Sequence, residues 1–171
     1  MDLSSINPIL LLASLMVAAT PILLAAIGEL VVERAGVLNL GVEGMMITGA
    51  VSGFIVAVST GSPLLGFIGA AVGGAFLGLL FGILTQVLLS NQVATGLALT
   101  LFGLGLSALM GQNYIGVKAP SFPDWDIPLL GDIPVIGPIV FQHDPMVYVG
   151  LILVAATWWF LHKTRHGLVL R

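Results

Sequence analysis

The stretch "ERAGVLNLGVEGMM", Glu33 to Met46, sets two acids, an arginine, an asparagine and three glycines between two long apolar runs. One run extends from about Pro8 to Gly28, the other from about Val37 to Thr60. About 20 consecutive apolar residues suffice to cross a bilayer core as a helix. The stretch therefore reads as the joint between two crossings, and it makes the chain polytopic from the start. It also poses a question, because it either only links two helices or borders a path through the membrane.

Composition agrees with a membrane reading. The 171 residues are 58% hydrophobic and 8% charged, with a mean hydropathy of +1.13. Soluble domains carry about a quarter charged residues. An integral membrane protein is the only class this balance fits. The net charge of −3, spread over few ionisable groups, excludes a nucleic-acid surface. With no cysteine, disulfides and thiolate chemistry are excluded. The first run has Asp2 and no basic residue before it, and it is longer than the apolar core of a secretion signal, so it reads as a retained helix.

Further spans follow at about Leu64 to Leu89, Val93 to Gly111 and Met146 to Leu161. Backbone polar groups in hydrocarbon must be satisfied internally, so the expected fold is an all-α polytopic bundle of about five transmembrane helices in one domain, residues 1–171. Residues 112–145 hold six of the nine prolines, with Asp124, Asp126, Asp132 and Asp144 against Lys118 alone. Proline at that density cannot continue a helix, so an external loop is expected, with "IPVIGPIVF" and Trp125 resting on the interface. Lys163, Arg165 and Arg171 follow the fifth span and Arg34 the first, which under the positive-inside rule places both points in the cytoplasm. The N-terminus and the Pro-rich loop then face outward. Ala70, Gly74, Gly78 and Gly82, and likewise Gly103, Ser107 and Gly111, recur every four residues as ridges for close helix packing.

Ionisable groups at membrane depth are the natural functional candidates, because burying one costs about 2.5–3.5 kcal/mol or more. Asn39 and Glu43 lie at the start of the second span, where a helix would set them on one face, with Gly36, Gly41 and Gly44 around them. Glycine weakens a helix by about 1 kcal/mol against alanine, and irregular backbone at depth is tolerated only against protein or a water-filled cavity. Such breaks beside polar groups mark transport sites, whereas a shallower loop would be only a connection. Glu29, Glu33 and Arg34 form a solvated helix end or a contact with a cytoplasmic partner. Asn91 and Gln92 open the fourth span, where capping explains them. His162 and His166 have metal-pair spacing, but Lys163 and Arg165 interleave them, and a membrane-edge or partner surface is the better reading. His143 and Asp144 shape a turn before Pro145. Neither Lys118 nor Lys163 follows a glycine, so no P-loop is present, and ATP hydrolysis would fall to another chain.

"TPILLAAIGELVVERAGVLNLGVEGMMITGA" (Thr20–Ala50), "NQVATGLALTLFGLGLSALM" (Asn91–Met110) and "IPVIGPIVFQHDPMVYVGL" (Ile133–Leu151) together resemble bacterial ABC transporter permeases of the nucleoside and simple-sugar uptake group. That group sits within the superfamily of branched-chain amino acid and ribose permeases, and the resemblance covers nearly the whole chain in order. It implies a type II importer-like bundle in the bacterial inner membrane, with alternating access driven by ATP in partner chains and no cofactor. It further implies a second permease subunit, a cytoplasmic ABC ATPase and an external substrate-binding protein or lipoprotein, besides the surrounding lipid. Asn39, Gly41, Glu43, Gly44, Asn91 and Gln92 fall on the family's pathway or gate positions, and Glu29, Glu33, Arg34, Lys163 and Arg165 on the ATPase side. Nucleosides are the expected cargo, with simple sugars or branched-chain amino acids as alternatives. Family members continue past a "TRHGLVLR"-like segment into a coupling helix, and this sequence stops at Arg171, so a truncated or split product is expected. A non-transporting scaffold and a homo-oligomeric channel lined by Asn39 and Glu43 are the readings from other classes.

Overall fold

The computed structural model describes residues 8–122, 125–126 and 142–170. Its elements, in order, are α1 (Pro8–Arg34), α2 (Val42–Thr60), α3 (Pro63–Gly82), a π-helical turn (Ile83–Val87), α4 (Gln92–Gly111) with a 3-10 extension (Gln112–Tyr114), β1 (Trp125–Asp126), β2 (Gln142–His143), α5 (Pro145–Lys163) and α6 (Arg165–Val169). Five of the helical segments are long and apolar enough to cross a membrane. Among the described residues the regular structure of this multi-pass membrane chain is helical apart from one short antiparallel pairing, Trp125 with His143 and Asp126 with Gln142. Most of the Pro-rich segment, including "IPVIGPIVF", lies outside the described residues.

The chain forms two compact units, one spanning residues 32–121 and the other built from α1 up to Val31 together with the chain from Phe122 onward. In the first unit α2 is the hub and packs along both α3 and α4. The turn between α2 and α3 shows how the sequence sets these elements. Gly61 adopts φ +69° and closes α2 through its N–H to the Ala57 carbonyl. Ser62 then caps α3 by accepting from the Leu65 N–H, and Pro63 occupies the first turn, where its missing N–H is no loss.

Small residues bring the helices together. A Cβ at Gly53 would stand 2.7 Å from both Ala70 Cβ and the Gly66 carbonyl oxygen, and one at Gly66 would stand 2.6 Å from Ala57 Cβ. The ridge expected at Ala70, Gly74, Gly78 and Gly82 is thus displaced toward the start of α3. Gly82 has nothing within 4 Å, and Gly78 has only the tip of Met45 at 3.9 Å. A four-residue repeat drifts around a helix of 3.6 residues per turn, so its later members rotate off the α2 face. The unit's apolar centre, Leu77, Phe81 and Leu99, is closed by Val37, Met45 and Leu80.

In the second unit α5 meets α1 at Gly150, where a Cβ would lie 3.6 Å from Thr20 Cγ2 and 3.7 Å from Leu23 Cδ2. Helix α1 runs through Pro21 as one element. Its end was expected near Gly28, yet it continues for 27 residues to Arg34, about 40 Å at 1.5 Å per residue. That exceeds a hydrocarbon core of about 30 Å, so α1 tilts or projects beyond it. The Lys163–Arg165 corner is held by Thr164, which donates to the Phe160 carbonyl and accepts from the Gly167 N–H. His143 belongs to β2 and is buried, instead of sitting in a turn, while Asp144 directly precedes α5.

Candidate functional site

The segment between α1 and α2 is non-helical. After Arg34 the chain turns at Ala35 and Gly36, the latter at φ +78°. It does not regain helical form until Val42. Asn39 is therefore not on the second helix, contrary to the sequence-based expectation. Its side chain explains the difference: Oδ1 accepts from the Gly41 N–H at 3.0 Å. Such a local side-chain bond to a backbone N–H two residues on competes with helix formation. The same geometry buries Asn39, whereas Glu43 is exposed in the first turn of α2. The two side chains do not share a face.

Helix α4 clamps this segment at two heights. At its start, the Gln92 Oε1 accepts from the Leu38 N–H at 2.8 Å. Two turns later, Thr100 Oγ1 donates to the Leu40 carbonyl at 3.0 Å. Thr100 lies about 12 Å along α4 from Gln92, since each helical residue advances about 1.5 Å. The non-helical backbone thus reaches well into the span of a membrane-crossing helix. A shallow connection would meet only the first turn of α4. The Leu38 and Gly41 N–H groups and the Leu40 carbonyl are met by protein, as irregular backbone at such depth requires.

Close approach of two backbones makes the clamp possible. A Cβ at Gly96 would stand 2.9 Å from the backbone nitrogens of both Leu40 and Gly41. One at Gly44 would stand 2.5 Å from the Leu99 carbonyl oxygen, and one at Gly103 would stand 2.6 Å from the Gly44 carbonyl oxygen. Gly41 and Gly44, singled out from the sequence, therefore serve contact with α4. Their partners Gly96 and Thr100 lie in the apolar run of the fourth span. The weak signal was that Gly96 and Gly103 lie seven apart on one face of the fourth span.

Asn91 and Gln92 divide their work. Asn91 caps α4, accepting from the Ala94 N–H at 3.0 Å, as expected. Gln92 is no cap, because its side chain ties down the α1–α2 segment 54 residues away in sequence. The structure thus brings together Asn39, Gly41, Gly44 and Gln92, with Gly96, Thr100 and Gly103 added. Glu43 stands beside them and faces out of the unit. Glu29, Glu33 and Arg34 are on the final two turns of α1, at its helix end, and Lys163 and Arg165 flank Thr164 between α5 and α6.

Over residues 11–171 the chain matches the family model described as branched-chain amino acid transport system / permease component. A putative glucose ABC transporter permease protein of Haloferax volcanii is 43% identical, over 88% of this chain and 47% of that protein. The guanosine ABC transporter permease protein of Bacillus subtilis is 32% identical, over 100% of this chain and 57% of its own length. The nucleoside ABC transporter permease protein of Lactococcus lactis subsp. cremoris is 29% identical, over 95% and 55% respectively. The chain spans about half the length of these curated relatives. No solved structure matches it.

Proposed function

The chain belongs to the permease family of branched-chain amino acid transport systems, and from that premise we propose that it supplies part of the membrane path of an ATP-driven importer. The cargo is a small polar solute bearing a hydroxylated ring, nucleosides first and simple sugars second. The relatives named for guanosine, nucleosides and glucose support that class, and a ribose or glucose ring presents the same hydroxyl chemistry. ATP binding in a partner subunit drives the alternation, and a second permease and an external solute-binding protein complete the assembly. The helix end Glu29–Arg34 and the Lys163–Arg165 corner face the cytoplasmic partner.

The observation that carries this reading is the non-helical break before α2, held at depth by α4, with the Glu43 carboxylate turned away from the unit's packed interior. A charged group in the first turn of a membrane helix is stable where water reaches it, and a solute path supplies that water. Asn39, Gly41 and Gly44 build the break, Gln92 holds it, and Glu43 meets the solute or its water at the inner mouth. An uptake assay in cells carrying the assembled transporter tests this. Glu43→Ala is expected to reduce nucleoside uptake at least tenfold, about 1.4 kcal/mol at the limiting step, with the same amount of protein in the membrane. Unchanged uptake would remove Glu43 from the path. Competition by excess glucose against labelled guanosine separates the two cargo classes.

A further inference from the structure

Hydroxyl groups in membrane helices normally satisfy themselves by bonding back to their own helix. Several hydroxyls of this chain follow that habit, although Thr48 is buried with no hydrogen-bond partner and Thr95 pairs with Ser90. Thr20 donates to Met16, Ser52 to Thr48, Thr60 to Val56, Thr85 to Phe81 and Thr164 to Phe160, each to a carbonyl four residues earlier. Thr100 departs from it. Its own carbonyl four residues back belongs to Gly96, yet its hydroxyl donates instead to Leu40, 60 residues earlier in sequence. Gly96 is also where the backbone of Leu40 and Gly41 approaches most closely.

The geometry points to Thr100 as a positioning residue that latches the α1–α2 break against α4. The hydroxyl has two acceptors within the reach of one side-chain rotation. Bonded to Leu40 it holds the break docked, and bonded to Gly96 it leaves the Leu40 carbonyl free and the helix still satisfied. Release therefore exchanges one hydrogen bond for another of the same kind and leaves no buried donor stranded. Glycine at position 96 allows the exchange, because a side chain there would separate the segment from the helix. The upper bond from Gln92 to Leu38 holds the segment's start, so release at Thr100 frees the part of the break nearest Glu43. This role rests on the proposed transport function only for its purpose; the latch itself is a property of the chain alone.

The sequence contains no cysteine, so a single introduced thiol reports on one place. Val42→Cys, at a half-buried position beside the freed part of the break, in the full chain in membrane vesicles, is labelled with a water-soluble maleimide. Adding Thr100→Val is expected to raise the labelling rate about two- to tenfold, the range of one net hydrogen bond. Thr100→Ser, which keeps the hydroxyl, is expected to restore the slow rate. Val169→Cys, on α6, serves as control and is expected to label equally in all backgrounds. If Thr100→Val fails to accumulate, Thr100→Ala takes its place with the same expectation. Equal rates with and without the hydroxyl, or a serine variant as fast as the valine variant, would overturn the latch. Because no transport is measured, failure of the transport reading would leave this difference intact, and loss of the difference would leave the Glu43 uptake test standing.

Discussion

Two adjacent residues, Asn91 and Gln92, show how much a single side chain decides here. Asn91 closes its own helix, and its replacement by alanine should lower stability by about 1 kcal/mol, read as a drop in the thermal midpoint in detergent. Gln92→Ala removes a bond of similar worth but leaves α4 capped. Its signature should be local: amide exchange at Leu38 about five- to tenfold faster, with the Ala94 amide unchanged. Equal acceleration at both amides would mean that Gln92 acts only on α4. The sequence revealed that both were polar groups opening a span. It could not reveal that one reaches 54 residues back, since that partnership exists only once α2 and α4 are packed. Asn39 teaches the converse. Its preference for a local bond to Gly41 is written in the residue types, but its four-residue spacing from Glu43 also suits a helix and masks that preference.

Among the elements, glycine position matters more than glycine frequency. The chain has 22 glycines, and spacing alone does not distinguish those that face a neighbour from those that face lipid. Gly44 and Gly82 make the contrast testable. Gly44→Ala sets a methyl against the α4 backbone, where overpacking typically costs about 1–3 kcal/mol. Gly82→Ala adds a methyl in open space on helical backbone, where alanine is favoured by about 1 kcal/mol. Thermal unfolding should therefore fall for the first variant and hold or rise for the second. A loss of stability at Gly82 would contradict the shifted ridge. The five apolar spans themselves were plain in the sequence, because length and hydropathy alone produce them. Their ends were less plain. α1 passes Gly28 by six residues, since Glu29, Leu30, Glu33 and Arg34 are good helix formers, with three apolar residues between the two acids.

For the whole molecule, family membership and a multi-pass architecture agree, and both were carried by long patterns that survive any local misreading. The site was legible in outline. Asn39, Gly41, Gly44 and Gln92 do come together, while Thr100 is an ordinary residue in an apolar span and Gly96 carries only its seven-residue spacing from Gly103. Glu43 separates from Asn39 because a helix begins between them, and that places the carboxylate outside the packed unit. The account stands on the consequence that Glu43 borders an aqueous path used by the solute. The most direct measurement introduces Glu43→Cys into the cysteine-free chain within the assembled transporter and follows its reaction with a water-soluble thiol reagent. The account predicts rapid reaction that slows several-fold when saturating nucleoside or sugar is present. A thiol that fails to react, or reacts at the same rate with and without solute, would contradict it.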